Sequence, residues 1–268
     1  MKAKKKSQEE KKWQEEWKNS TTQLQQQVEQ YQQDSMITKL LERQGKPLMA
    51  CGGSVTNSIM AAANFGSKCH VACKVSNDEH GGFFLEDLTA NRIDHSVIAT
   101  NSNLSTGRCL VMVSEDAERT MCTYLGISNE LAKEDIDAKA IRASKYLFIE
   151  GYLVASTSGL EACHKAIKVA KKSNTKVAIS LSAVFIADNF KTELQGLIDL
   201  GCDLLLCNES EAMAFTDEDD VEQSIKYLGQ VSDQILITMG PKGCMGFRKK
   251  EAFFVKGLKV KAIDTNGA

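Results

Sequence analysis

No apolar run in this sequence approaches the roughly 18–20 residues a helix needs to cross a bilayer. No leader is visible either: Met1 to Lys6 is basic, but no apolar stretch follows it. Charge of one sign is also lacking. The formal net charge is -2, which gives no general reason to expect nucleic acid or an acidic membrane as partner. Nine cysteines are present, yet none forms a Cys-x-x-Cys, and only Cys69 and Cys73 lie close together. Cys73, Cys109, Cys202 and Cys207 sit inside apolar runs, which reads as free buried thiols in a reducing, cytoplasmic setting rather than a zinc or disulfide framework. What remains is a globular composition, 43% hydrophobic and 25% charged over 268 residues. That is room for one ordinary α/β domain or two small ones.

Residues 1–47 differ from the rest. Lys, Glu and Gln dominate the first eighteen, and Gln23 to Gln33 is nearly all glutamine. Trp17, Leu24 and Tyr31 are seven apart with Val28 between them, a short heptad-like stripe. A solvated or helical tail, a helix for a protein partner, and a basic targeting element at Lys2 to Lys6 all fit. Gly45 and Pro47 mark the change to a folded domain over 48–268.

From Leu48 onward strands and helices alternate. Ser54 is positioned to cap a helix reaching Gly66. His70 to Val75 and His95 to Thr100 read as strands around a helix from Glu79 to Arg92. Arg108 to Val113 and Thr120 to Leu125 read as a β-hairpin that interrupts the alternation, a flap spanning about 106–125. Strands follow at Tyr146 to Glu150, Lys176 to Leu181, Asp203 to Cys207 and Gln234 to Met239. Helices at Ser158 to Lys172, Thr192 to Leu200 and Asp220 to Leu228 separate them. Gly243 to Arg248 and Ala252 to Lys256 suggest a final hairpin. This pattern predicts a parallel sheet covered on both faces by helices, with ligands beyond the carboxyl ends of the strands.

Four polar motifs fall at those ends. In Cys51-Gly-Gly-Ser-Val-Thr-Asn57 the glycine pair allows close approach to a small ligand, and the Asn57 amide can donate to and accept from a hydroxyl. It fits neither a dinucleotide Gly-x-Gly-x-x-Gly nor a Walker loop. In Cys207-Asn208-Glu209-Ser210-Glu211, Asn208 and Glu211 share one face if a helix starts there, a pairing suited to Mg²⁺ or, more plainly, to capping that helix. Thr238-Met-Gly-Pro-Lys-Gly243 turns tightly and offers backbone N–H groups to phosphate, or is simply a turn. Asp264-Thr265-Asn266-Gly267-Ala268 breaks off a strand-like Lys259 to Ile263 and looks like the entry to a phosphate-binding turn.

In this order the motifs resemble the PfkB-type (ribokinase-like) carbohydrate and nucleoside kinases, and among these they look most like the bacterial adenosine kinases. The resemblance runs from about Met49 to Ala268. It also rests on Cys-Lys-Val-Ser-Asn-Asp-Glu at 73–79, Thr-Gly-Arg-Cys-Leu-Val-Met-Val at 106–113, Glu-Arg-Thr-Met at 118–121 and Glu-Gly-Tyr-Leu-Val at 150–154. It implies a three-layer α/β/α fold with a mostly parallel sheet and a small β lid. It implies ATP and Mg²⁺, and phosphorylation of the 5′-hydroxymethyl group of a nucleoside, adenosine to AMP, or of a related sugar.

By the same resemblance Gly52, Gly53 and Asn57 hold the substrate hydroxyls. Asn208 and Glu211 organise Mg²⁺. Thr238, Gly240, Gly243, Asp264 and Arg119 meet the nucleotide, and Gly267 and Ala268 begin the anion hole. The family pattern continues past Ala268 with Gly-Asp, whose Asp is the base, and starts with a strand not evident in 1–47. The expectation is therefore a kinase domain seen as a fragment with little activity of its own. The alternatives are a non-catalytic binding module and a ribose- or fructose-type sugar kinase.

Overall fold

The computed structural model describes residues 32–42, 47–97, 99–113, 119–248 and 251–260. The expected regions 1–31, the Ser114-to-Glu118 turn and Asp264 to Ala268 lie outside them.

The centre is a six-stranded sheet. Four strands are parallel neighbours in chain order: β5 (Tyr146–Glu150), β6 (Lys176–Ser180), β7 (Leu204–Asn208) and β8 (Gln234–Thr238). The sheet continues antiparallel through β9 (Gly243–Arg248) and β10 (Glu251–Lys256). The parallel strands are rich in Val, Ile and Leu, as strands under helices are. Each connection steps one strand in the same direction, so right-handed crossovers place α5 (Thr157–Lys172), α7 (Lys191–Gly201), α8 (Glu209–Thr216) and α9 (Val221–Val231) over one face. α5 supplies Ala162, Cys163, Ala166, Ile167 and Ala170, at helical spacing, against Val177, Ile179 and Leu205. Burial pushes the thiols of Cys163 and Cys207 up to about 12.

The amino-terminal part is a separate small βαβ unit. α2 (Ser54–Asn64) and α3 (Glu79–Ala90) pack with β1 (His70–Val71) and β2 (Asp94–His95), which are parallel partners. Val71, Leu88 and Ile93 form its core. These strands are shorter than the sequence pattern predicts, although a single bridge between Ser76 and Thr100 prolongs the pairing. Asp78 caps α3 through Gly81 N–H at 2.8 Å and takes Thr106 N–H at 2.7 Å, fastening the unit to the base of the hairpin.

The hairpin itself pairs β3 (Arg108–Val113) with β4 (Arg119–Tyr124) and joins no other sheet. One face carries Leu110, Met112, Cys122 and Tyr124. Residues 32–42 form a helix, α1, that lays Ile37, Leu40 and Leu41 on that face. Asp34 of α1 also pairs with Arg108. The six-residue α6 (Val184–Asn189) and α4 (Ala138–Ala143) complete the helices of the described residues. The architecture is thus the mostly parallel α/β sheet with an outlying hairpin that the sequence implies.

Candidate active site

The carboxyl ends of β5, β7 and β8 bring the polar motifs to one edge of the sheet. β7 ends on Asn208 and β8 on Thr238, and the two residues are register partners. Asn208 then starts α8. Its side-chain oxygen accepts Glu211 N–H at 2.8 Å, while the Glu211 carboxylate accepts Asn208 N–H at 3.0 Å and the Asn208 amide at 2.8 Å. The helix-capping role is therefore real. Glu211 is only 8% exposed. Burial raises its carboxyl above the ordinary value, against the hydrogen bond from Asn208 N–H.

Thr238 leads into the turn at Gly240–Lys242. Met239 N–H donates to Gly243 O at 2.8 Å and closes it. Gly243 has φ 120°, and a side chain there would meet Val255 O at 2.0 Å, so only glycine fits. Lys242 of this turn reaches Glu209 of α8 at 3.2 Å. The ion pair holds the β8 turn beside the start of α8.

The glycine motif enters from the other side. α2 begins at Ser54, with Gly53 as its N-cap at φ 99° and no side-chain cap. Ser54 does not cap the helix as the sequence suggests. The positive φ at the cap selects glycine, and Ser54 becomes the first helical residue. Asn57 N–H closes the first turn on Gly53 O at 3.0 Å. The Asn57 amide has no hydrogen-bond partner among the described residues, and Gly52 is exposed.

Glu150 stands at the end of β5. Burial raises its carboxyl, against the nearby backbone N–H of Val55 in the first turn of α2. Oxygen Oε1 of Glu150 is buried without a partner among the described residues. A buried orphan acceptor is costly unless a ligand donor reaches it. Tyr152, two residues on, is half exposed. Burial, then the charges of Glu150 and Glu211, raise its phenol. Ser182, held at φ 70°, accepts Gly151 N–H at 2.8 Å and closes the floor at the end of β6.

The structure thus brings Asn208, Glu211, Thr238, Gly240 and Gly243 together, and Glu150 lies near Val55, two residues after Gly53. Arg119 opens β4 across from Val113. Asp264, Gly267 and Ala268 lie outside the described residues. Motif reading includes Glu150 in Glu-Gly-Tyr-Leu-Val at 150–154 but assigns it no role.

A parallel α/β sheet with helix starts and glycine turns gathered at its strand ends defines a class: enzymes that hold small anionic ligands at that edge. The family model of pfkB family carbohydrate kinases matches residues 23–268, and the chain belongs to that family. Ribokinase of Haemophilus influenzae is 27% identical over 226 residues, 82% of this chain and 71% of its own length. Guanosine-inosine kinase of Escherichia coli is 39% identical over 153 residues, 54% of this chain and 35% of that protein. The crystal structure of adenosine kinase from Sinorhizobium meliloti superposes with a TM-score of 0.81 at 26% identity, covering 86% of this chain and 71% of that one.

Proposed function

We propose that the chain serves an ATP- and Mg²⁺-dependent kinase that phosphorylates the 5′-hydroxymethyl group of a purine nucleoside. The observation that carries this is the pairing of Asn208 with Thr238 across adjacent strand ends, tied by Lys242 and Glu209. It sets an acidic helix start beside a tight glycine turn. Phosphoryl transfer needs this kind of positioning and charge neutralisation more than covalent chemistry.

The donor set fits Mg²⁺ that keeps most of its waters. Among the described residues no cluster of three His, Cys, Asp or Glu side chains could enclose an ion. Both Glu211 oxygens already accept hydrogen bonds, which leaves each a further lone pair for a metal-bound water. Bound Mg²⁺ would neutralise phosphate charge. Gly240 and Gly243, lacking side chains, would let the phosphates come close to the turn, and Arg119, Asp264, Gly267 and Ala268 are proposed contacts with them. Glu150, Gly53 and Asn57 would take the sugar hydroxyls.

The nucleoside reading is favoured over a sugar by the 39% identity to a guanosine-inosine kinase. The broader but weaker similarity to ribokinases keeps ribose as the second reading. Titration calorimetry and labelled-ATP transfer with guanosine, inosine, adenosine and ribose decide between them. A nucleoside should bind saturably, transfer by this chain should be weak, and Glu211→Gln should weaken Mg²⁺-ATP binding by about 10–100-fold, the usual effect of losing an outer partner of a metal. Binding of ribose with no binding of any nucleoside would refute the assignment.

A further inference from the structure

A groove on the far side of α5 plays no part in the site above. It is a shallow, open groove of about 380 Å³ between α5 and the 3-10 turn Lys133–Asp135. Lys133, Lys165, Lys168 and Lys172 line it with His164, and Glu161 is its one carboxylate. Residues 161, 165, 168 and 172 follow helical spacing, so the charges share one face of α5 over about 16 Å.

The positive charge there is largely uncompensated. Glu161 is already paired with Lys133, at 3.0 Å. Lys165 is held by backbone carbonyls, donating to Lys133 O at 2.6 Å and to Ile136 O at 3.4 Å, and gains no anionic partner from them. Lys168 and Lys172 take part in no ion pair among the described residues. Like charges three and four apart on a helix repel. The helix dipole rewards lysines in the last turn of α5 but neither Lys165 at mid-helix nor Lys133 on a separate turn. General basicity is no explanation either, since the chain carries a formal charge of -2.

The geometry points to a binding site for a small molecule bearing a chain of phosphates. Compact ammonium groups from two elements can neutralise successive phosphates. Val169 is the one wholly apolar side chain in the lining, beside the lysine stems and the His164 ring, and the charge the groove presents is that of the lysine ammonium groups, which suits the phosphate chain. α5 runs from the end of β5 back to the start of β6, so its lysine-rich half lies toward the amino ends of the strands. Asn208 and Thr238 are at the opposite edge. A ligand here does not compete with the candidate active site.

Inorganic tripolyphosphate is the probe, titrated calorimetrically into the protein, into Lys168→Ala/Lys172→Ala, and into Glu211→Gln. Circular dichroism melts check that each variant folds. One saturable event should persist in Glu211→Gln, weaken at least about tenfold in the double lysine variant, and weaken again as salt rises. Orthophosphate should bind far more weakly. Unchanged affinity in the double variant overturns the site, as does an event abolished by Glu211→Gln alone or no saturable heat at millimolar probe. Orthophosphate binding as tightly as tripolyphosphate overturns the phosphate-chain reading. Tight binding of a poly-glutamate peptide or an oligonucleotide without binding of tripolyphosphate overturns the small-molecule reading.

Discussion

Glu150 carries an imbalance that ligand binding would relieve. One oxygen of its carboxylate is buried without a partner among the described residues, and burial holds its carboxyl above the ordinary glutamate value. A group whose folded pKa is raised favours the folded state while protonated, and that contribution is lost as pH rises through the folded value. Glu150→Gln removes the charge and keeps an acceptor near Val55 N–H. The variant should therefore melt higher than the parent at neutral pH, with the gain shrinking as pH falls toward the ordinary glutamate value of 4.5. The same change should weaken nucleoside binding. Melting curves across pH, with calorimetry alongside, check both. A variant that melts lower at neutral pH would mean that the charge is compensated. The Asn208–Glu211 pair was legible in the sequence because both members lie within one helical turn. Glu150 was not, since its meaning depends on an N–H delivered by α2 from much earlier in the chain.

At the scale of elements, α1 and the hairpin are a single unit. Ile37 is 2% exposed, packed with Cys122 and Tyr124. Its truncation leaves a cavity that one short helix and a two-stranded ribbon cannot easily fill. Ile37→Ala should cost about 2–5 kcal/mol locally and release α1. Hydrogen exchange should then speed up in 32–42 and in β3 and β4, with the six-stranded sheet unaffected. Uniform acceleration throughout would show that the hairpin is not a separate cooperative unit. The apolar spacing of Ile37, Leu40 and Leu41 was present in the sequence. Glutamine upstream masked it, and no local rule says that a hairpin far along the chain will offer a matching face. The family match likewise begins at residue 23, inside the glutamine-rich region. β1 and β2 came out shorter than their apolar runs because register pairing, not propensity, limits a strand.

For the whole molecule, stability centres on the helix-covered face of the six-stranded sheet. Leu205 is fully buried in β7, within the core built by α5, α7, α8 and β6. Leu205→Ala should lower global stability by about 2–5 kcal/mol, read as a shifted urea midpoint with the slope retained. A loss below about 1 kcal/mol would show that the core collapses around the gap.

The sequence by itself determined the parallel strands β5 to β8, because runs of Val, Ile and Leu bounded by helices of α5 or α9 length have one stable solution. It also determined the family, because the motifs stand in one order along the chain. Tertiary structure alone decided that Asn208 faces Thr238 and that Lys242 reaches Glu209. It alone decided that Glu150 lies near α2, that α1 covers the hairpin, and that the lysines of α5 close on Lys133 to form a groove. Local pattern fixes which residues share a strand or a helix face. Which faces meet is set by register and crossover handedness, and those are properties of the assembled sheet.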